Sequence, residues 1–189
     1  MDRLWTPWRY SYITSSDQTA RKGVPAELDA FPPELDKHCV FCNIIASADY
    51  AITHGMDPLQ ADKASHIVLR GRHIYTCLNA FPYASGHLLL VPYEHTDSLA
   101  KLPVETAHEL IETAQRIETA LRAVYNPDGL NMGLNLGKAA GAGVAAHMHL
   151  HALPRWVGDT NFMTVTAETR ILPEMLDDSW QRLREALAV

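Results

Sequence analysis

The spacing of apolar and polar positions along this chain changes near residue 66. Before that point, residues 14–37 are polar and carry Pro25, Pro32 and Pro33, which reads as a long irregular connection. Residues 1–12 are aromatic and basic, with Trp5, Pro7, Trp8, Arg9, Tyr10 and Tyr12. Cys39 to Ala48 fits a short helix after a tight turn, and 49–65 reads as a loop broken by Gly55 and Pro58. From residue 66, strand-sized runs follow: His66 to Arg70, a turn at Gly71, then Ile74 to Asn79. Pro82 and Gly86 bound a loop, and His87 to Pro92 is a fully apolar third strand. The clearest helix covers 103–124, where Pro103 suits the first turn and Leu110, Ile111, Ala114, Ile117, Leu121 and Val124 recur at helical spacing. Asn126-Pro127-Asp128-Gly129 ends it. Gly129 to Leu136 reads as a fourth strand, 137–143 as a glycine-rich loop, and His147 to Leu153 as a fifth strand stopped by Pro154. An amphipathic helix is expected over 173–187. Five strands around one long crossover helix, with antiparallel hairpins, predict an α+β fold.

Composition narrows the class. At 189 residues the chain is one domain's worth, and 47% hydrophobic with 20% charged residues excludes disordered and fibrous chains. The longest apolar run, Leu88 to Val91, is far short of a membrane helix, and Met1-Asp2-Arg3-Leu4-Trp5 has no signal-peptide core. No membrane partner and a cytoplasmic location are expected. Lys and Arg number 16 against 22 Asp and Glu, a net charge of -6 that argues against a nucleic-acid polymer as partner. It leaves room for a small phosphate-bearing substrate, which needs only a local cluster of donors. Three cysteines are too few for a disulfide scaffold, whereas ten histidines are unusual, and their placement carries the chemistry.

His147-Met148-His149-Leu150-His151-Ala152-Leu153 alternates histidine with apolar residues. On a strand, residues two apart share a face, so three imidazoles would line one side at roughly 6–7 Å spacing. Met148, Leu150 and Ala152 would then enter a core. A helix would disperse the cluster, and Met148 stands where a helical zinc motif would want Glu. A chance run on a solvated face and a bare metal site are the rival readings. The preceding Gly137-Lys138-Ala139-Ala140-Gly141-Ala142-Gly143 is able to turn its amides inward toward an anion. Imidazoles beside such a loop suit phosphoryl chemistry, where a histidine serves as nucleophile, base or donor to phosphate oxygens.

His147 to Leu153 resembles the histidine triad (HIT) motif. The likeness runs from about His66 to Trp156. The opening Leu4-Trp5-Thr6-Pro7-Trp8-Arg9 and the tail Pro154 to Phe162 resemble the bacterial branch related to diadenosine tetraphosphate hydrolases and phosphorylases. The resemblance implies a HIT-like antiparallel sheet with one long helix and a C-terminal helix, paired as a homodimer. It divides the chain into an N-terminal extension (1–65), a catalytic domain (66–162) and a helical tail (163–189), together one structural unit. It further implies that His149 attacks the α-phosphorus of a nucleoside phosphate to form a covalent nucleotidyl-imidazole, with His151 donating to phosphate oxygens and His147 and His87 completing the catalytic set. Asn79 would meet the ribose hydroxyls and Asn135 the phosphate or bridging oxygen. Both asparagines also have plain readings as turn residues. The stretch Gly141 to Ala146 departs from the family in having no hydroxyl or amide side chain. Backbone N–H groups of Gly143 and Val144 would then hold the phosphate, or Lys138 would compensate. A histidine at position 151 leans to water as acceptor; the flanking segments keep an orthophosphate-using phosphorylase as the alternative.

Cys39-Val40-Phe41-Cys42 is half of a zinc site by spacing, with a redox dithiol or an inert buried pair as alternatives. The resemblance implies His95 and His147 as the other two ligands of a structural zinc, with no organic cofactor. His38, His54 and His66 compete for that role. A nucleotide-binding module with little turnover is held beside the enzyme reading. A third possibility, a zinc-stabilised interaction protein, leaves the histidine strand unexplained.

Overall fold

The computed structural model describes residues 23–159 and 174–188. The aromatic segment 1–12, with the expectation that Trp5 and Trp8 cover a sheet edge or a partner's site, lies outside the described residues. So do residue 13, 14–22 of the first connection, and the family-like stretch from Thr160 to Phe162.

Five strands form one antiparallel sheet in the order β1-β2-β3-β5-β4: β1 Ile67–Arg70, β2 Ile74–Leu78, β3 Leu88–Pro92, β4 Gly129–Leu134 and β5 Leu150–Arg155. Four α-helices accompany them among the described residues: α1 Val40–Thr53, α2 Pro58–Ala64, α3 Val104–Tyr125 and α4 Leu176–Leu187. The central strands are covered on both faces, which explains the unbroken apolar run in β3. Ile74, Leu78, Leu88 and Leu90 pack with Ile117 and Leu121 of α3 and Leu183 of α4. Tyr75, Cys77, Leu89 and Val91, one residue out of step, pack with Phe41 and Ala48 of α1 and Ala61 of α2.

The α+β class and the strand count agree with the sequence, but several boundaries move. The N-terminal helix is not short: it begins after Cys39 and runs to Thr53, and Gly55 follows its end at φ 97°. The predicted loop 49–65 contains α2, because Pro58 stands at a helix's first turn, where its missing N–H costs nothing. Asp57 caps that turn, its carboxylate accepting from Leu59 N at 2.9 Å and Gln60 N at 3.1 Å. Pro154 does not stop β5. Pairing with β3 ends at Ala152, so Pro154 has a neighbour on one side only, and a missing donor is tolerated there. The same strand starts at Leu150, three residues later than predicted, after a turn in which His147 N donates to Val144 O. β4 ends at Leu134, not Leu136. Ile111, placed on the apolar stripe of α3, is 57% exposed. The expected connection 14–37 holds two 3-10 turns, Ala26–Leu28 and Pro33–Leu35, that bury Leu28.

Helix α4 is fastened to the sheet by Trp180, which is 2% exposed and donates from its indole N–H to Ile67 O at 2.8 Å. Trp180→Ala leaves a cavity and an unpaired carbonyl, and is expected to cost about 3–5 kcal/mol, read as a lower urea midpoint. Trp180→Phe keeps most of the packing and should lose less, about 1–3 kcal/mol.

Candidate active site and metal centre

The site lies on the α1 side of the sheet, at the start of β5. Met148, Leu150 and Ala152 enter the opposite core, as the alternation predicts. The three histidines divide between two clusters. His149 and His151 are neighbours, with ring centroids 4.8 Å apart, but His147 precedes the strand, and its ring joins Cys39, Cys42 and His95. Phe41, which lies inside the Cys-x-x-Cys segment, contacts both rings, 5.5 Å from His147 and 4.7 Å from His149.

Backbone partners fix where each neutral ring carries its proton. A carbonyl only accepts, so His147 holds its proton on Nε2 and gives it to Pro92 O at 2.9 Å. Its Nδ1 lone pair faces the thiols. By the same rule His149 donates from Nδ1 to His147 O at 3.0 Å, which leaves the ring's lone pair on Nε2. Burial also holds the His149 pKa below the ordinary histidine value, against the opposing pull of that carbonyl, so the ring stays neutral.

A second chain of bonds orients His151. Tyr83 N–H donates to His87 Nδ1 at 3.1 Å, so the His87 proton sits on Nε2. That proton is given to His151 Nδ1 at 2.9 Å, which puts the His151 proton on Nε2, next to Asn135. Asn135 Nδ2 stands 3.5 Å from that nitrogen. Two donors meeting at this distance suit a shared acceptor, such as a phosphate oxygen, better than a bond to each other.

The remaining predicted residues are placed less decisively. Asn79 stabilises the β2–β3 connection, with Oδ1 accepting from Phe81 N at 3.0 Å, and its Nδ2 lies 3.3 Å from His87 Nδ1. Gly143 is exposed, and Val144 is half-buried against the α1 cluster. Lys138 is exposed in a 3-10 turn. Sequence reasoning missed Tyr83 and Pro92, which act through backbone groups and leave no signal in residue type. It also missed Phe41, whose place between two cysteines was its one clue.

Cys39, Cys42, His95 and His147 bring four ligand atoms within 4.8 Å of one another. His147 Nδ1 is 3.4 Å from Cys39 Sγ and 3.5 Å from Cys42 Sγ, and His95 Nδ1 is 3.3 Å from Cys42 Sγ. A tetrahedral zinc with ordinary Zn–N and Zn–S bonds sets its ligands about 3.3–3.8 Å apart, so these residues fit it. The bond from His147 to Pro92 O supplies the outer partner such a ligand normally has. Burial, with Cys39 adding to it, pushes the Cys42 thiol up to about 12, and burial pulls His147 down to about 4. A charge on either Cys42 or His147 alone is disfavoured, which is the environment a divalent cation reverses. The competing histidines are elsewhere: His54 stacks on Tyr50, His66 faces Asp177, and His38 is exposed near Asp36.

A family model described as HIT domain matches residues 60–157. An AP-4-A phosphorylase from Mycobacterium tuberculosis is 33% identical over 179 residues, covering 95% of this chain and 80% of that protein. A crystal structure of a Zn-bound histidine triad family protein from Mycobacterium smegmatis is 31% identical, with a TM-score of 0.59 over 79% of this chain and 93% of that one. A Plasmodium falciparum diadenosine triphosphate hydrolase shares the fold at 17% identity, with a TM-score of 0.52 over 65% of this chain and 74% of that one. Among the described residues, no helix is long and apolar enough to cross a membrane.

Proposed function

The chain belongs to the HIT domain family, and on that premise we propose that it is an enzyme that cleaves dinucleoside polyphosphates or related nucleoside phosphates through a nucleotidyl-histidine intermediate. One observation carries this reading. The His149 Nδ1 proton is held on the His147 carbonyl, so a neutral imidazole presents its Nε2 lone pair beside the fixed donor of His151. In the first step Nε2 attacks the α-phosphorus. An N–P bond forms, the P–O bond to the bridging oxygen breaks, and that oxygen leaves with the nucleoside polyphosphate. His151 Nε2–H and Asn135 donate to phosphate oxygens, while His87 holds the His151 tautomer. Asn79 is assigned to the ribose, and the amides of Gly143 and Val144 to the phosphate. In the second step an acceptor oxygen displaces His149 and restores the ring.

Zinc at Cys39, Cys42, His95 and His147 would be structural, since four protein ligands leave no open position. When bound it would supply charge to stabilise two thiolates. The chain's own contribution is the His147 carbonyl that orients His149. The reading includes a homodimer, for which β4, the outermost strand among the described residues, offers a pairing edge, and a reducing, cytoplasmic setting that keeps Cys39 and Cys42 as thiols.

The Mycobacterium tuberculosis relative favours orthophosphate as the acceptor. Water is the second reading, favoured by the absence of a hydroxyl side chain from Gly141 to Ala146. Diadenosine tetraphosphate with excess labelled orthophosphate separates them. A phosphorylase yields ATP and labelled ADP, with a rate that rises with phosphate to saturation. A hydrolase yields AMP and ATP, with the label confined to free phosphate.

A further inference from the structure

A groove of about 290 Å³ opens beside His151, lined by Tyr83, Asn131, Gly133, Asn135, Leu153 and Arg155. Strand alternation places His151, Leu153 and Arg155 along one face of β5, and the β4 register sets Gly133 opposite His151 and Asn131 opposite Leu153. The groove therefore starts at the phosphate donors and runs about 13 Å along the strand, away from His149. Phosphoryl transfer requires the leaving oxygen roughly opposite the attacking atom. With His149 as the nucleophile, the leaving group departs toward this groove.

The lining selects the chemical class. Arg155 is held flat by Asp159, at 2.5 and 2.7 Å, and by Asn131 Oδ1 at 2.7 Å. Its charge is answered by the carboxylate, so it offers a planar surface in preference to an anion hook. The Tyr83 ring lies nearly parallel to that of His151, 19° apart at 6.3 Å, and Leu153 adds apolar area. These surfaces suit a flat aromatic base, while the donors for phosphate remain at the His151 end. We infer that this groove is the subsite for the leaving nucleotide, with its base against Tyr83 and Arg155 and its phosphates against His151 and Asn135. This inference rests on the reading of His149 as nucleophile.

Gly133 provides the test. A Cβ there meets nothing within 4 Å, so Gly133→Val fills the groove without a clash in the fold. Diadenosine tetraphosphate is compared with the p-nitrophenyl ester of AMP, whose leaving group is too small to reach Arg155. In Gly133→Val, and independently in Arg155→Ala, the ratio of kcat/KM for the dinucleotide to that for the ester should fall about tenfold or more, mainly through KM. An unchanged ratio in both variants, with native-like melting, would overturn the subsite and leave the nucleophile reading intact. Wild-type protein inert toward both substrates would refute the nucleophile reading, and the subsite with it.

Discussion

His149→Ala is expected to lose turnover of diadenosine tetraphosphate by about 10⁴-fold or more, because the proposed mechanism forms its covalent bond at this imidazole. The ring is only 4% exposed and packs on Phe41, so the change also removes a buried hydrogen bond to His147 O. A stability loss of about 1–3 kcal/mol accompanies it, which makes a melting curve a necessary control. Wild-type protein mixed briefly with substrate and quenched under alkaline denaturing conditions should carry a nucleotidyl mass on the peptide that contains His149. His151→Ala should slow the reaction yet still allow the adduct to form. Wild-type-like turnover in folded His149→Ala would sink the assignment.

Removal of metal has the second large effect. Protein purified without chelator should contain about one zinc per chain by elemental analysis. A site occupied at a thousand times its Kd contributes about 4 kcal/mol, and a chain of this size shifts about 2–4 °C per kcal/mol. Chelation, or Cys39→Ser, should therefore lower Tm by on the order of 10 °C. Metal-free protein whose melting is unmoved by chelator would refute the site.

Much of this architecture was legible in residue spacing. Leu88 to Val91 announced a fully apolar strand, and Leu110, Ile117 and Leu121 announced the long helix that covers one of its faces. The alternation around His149 correctly sent Met148, Leu150 and Ala152 inward. Spacing misled where local rules were outvoted. Pro58 and Gly55 were read as breakers, but they punctuate two helices, because Asp57 caps one and a left-handed Gly55 follows the other. The place of His147 beside two cysteines more than a hundred positions earlier came only from the family resemblance, since spacing alone does not aim its ring at them. Proton positions were illegible, because they depend on the carbonyls of Pro92 and His147 and the amide of Tyr83. Every residue type carries the carbonyl, and every type but proline the amide N–H.

His147 contributes to two sites from one residue: its ring turns to the cysteine cluster and its carbonyl to His149. Between the proposed cation site at Cys39 and Cys42 and Nε2 of His149, the proposed nucleophile, lie two rigid rings, one stretch of backbone and few soft torsions. Positional error has little room to accumulate along so short a linkage. Its drawback is that any drift at the anchor passes to the tip almost undiminished, so the aim of the nucleophile is only as good as the alignment of the thiols.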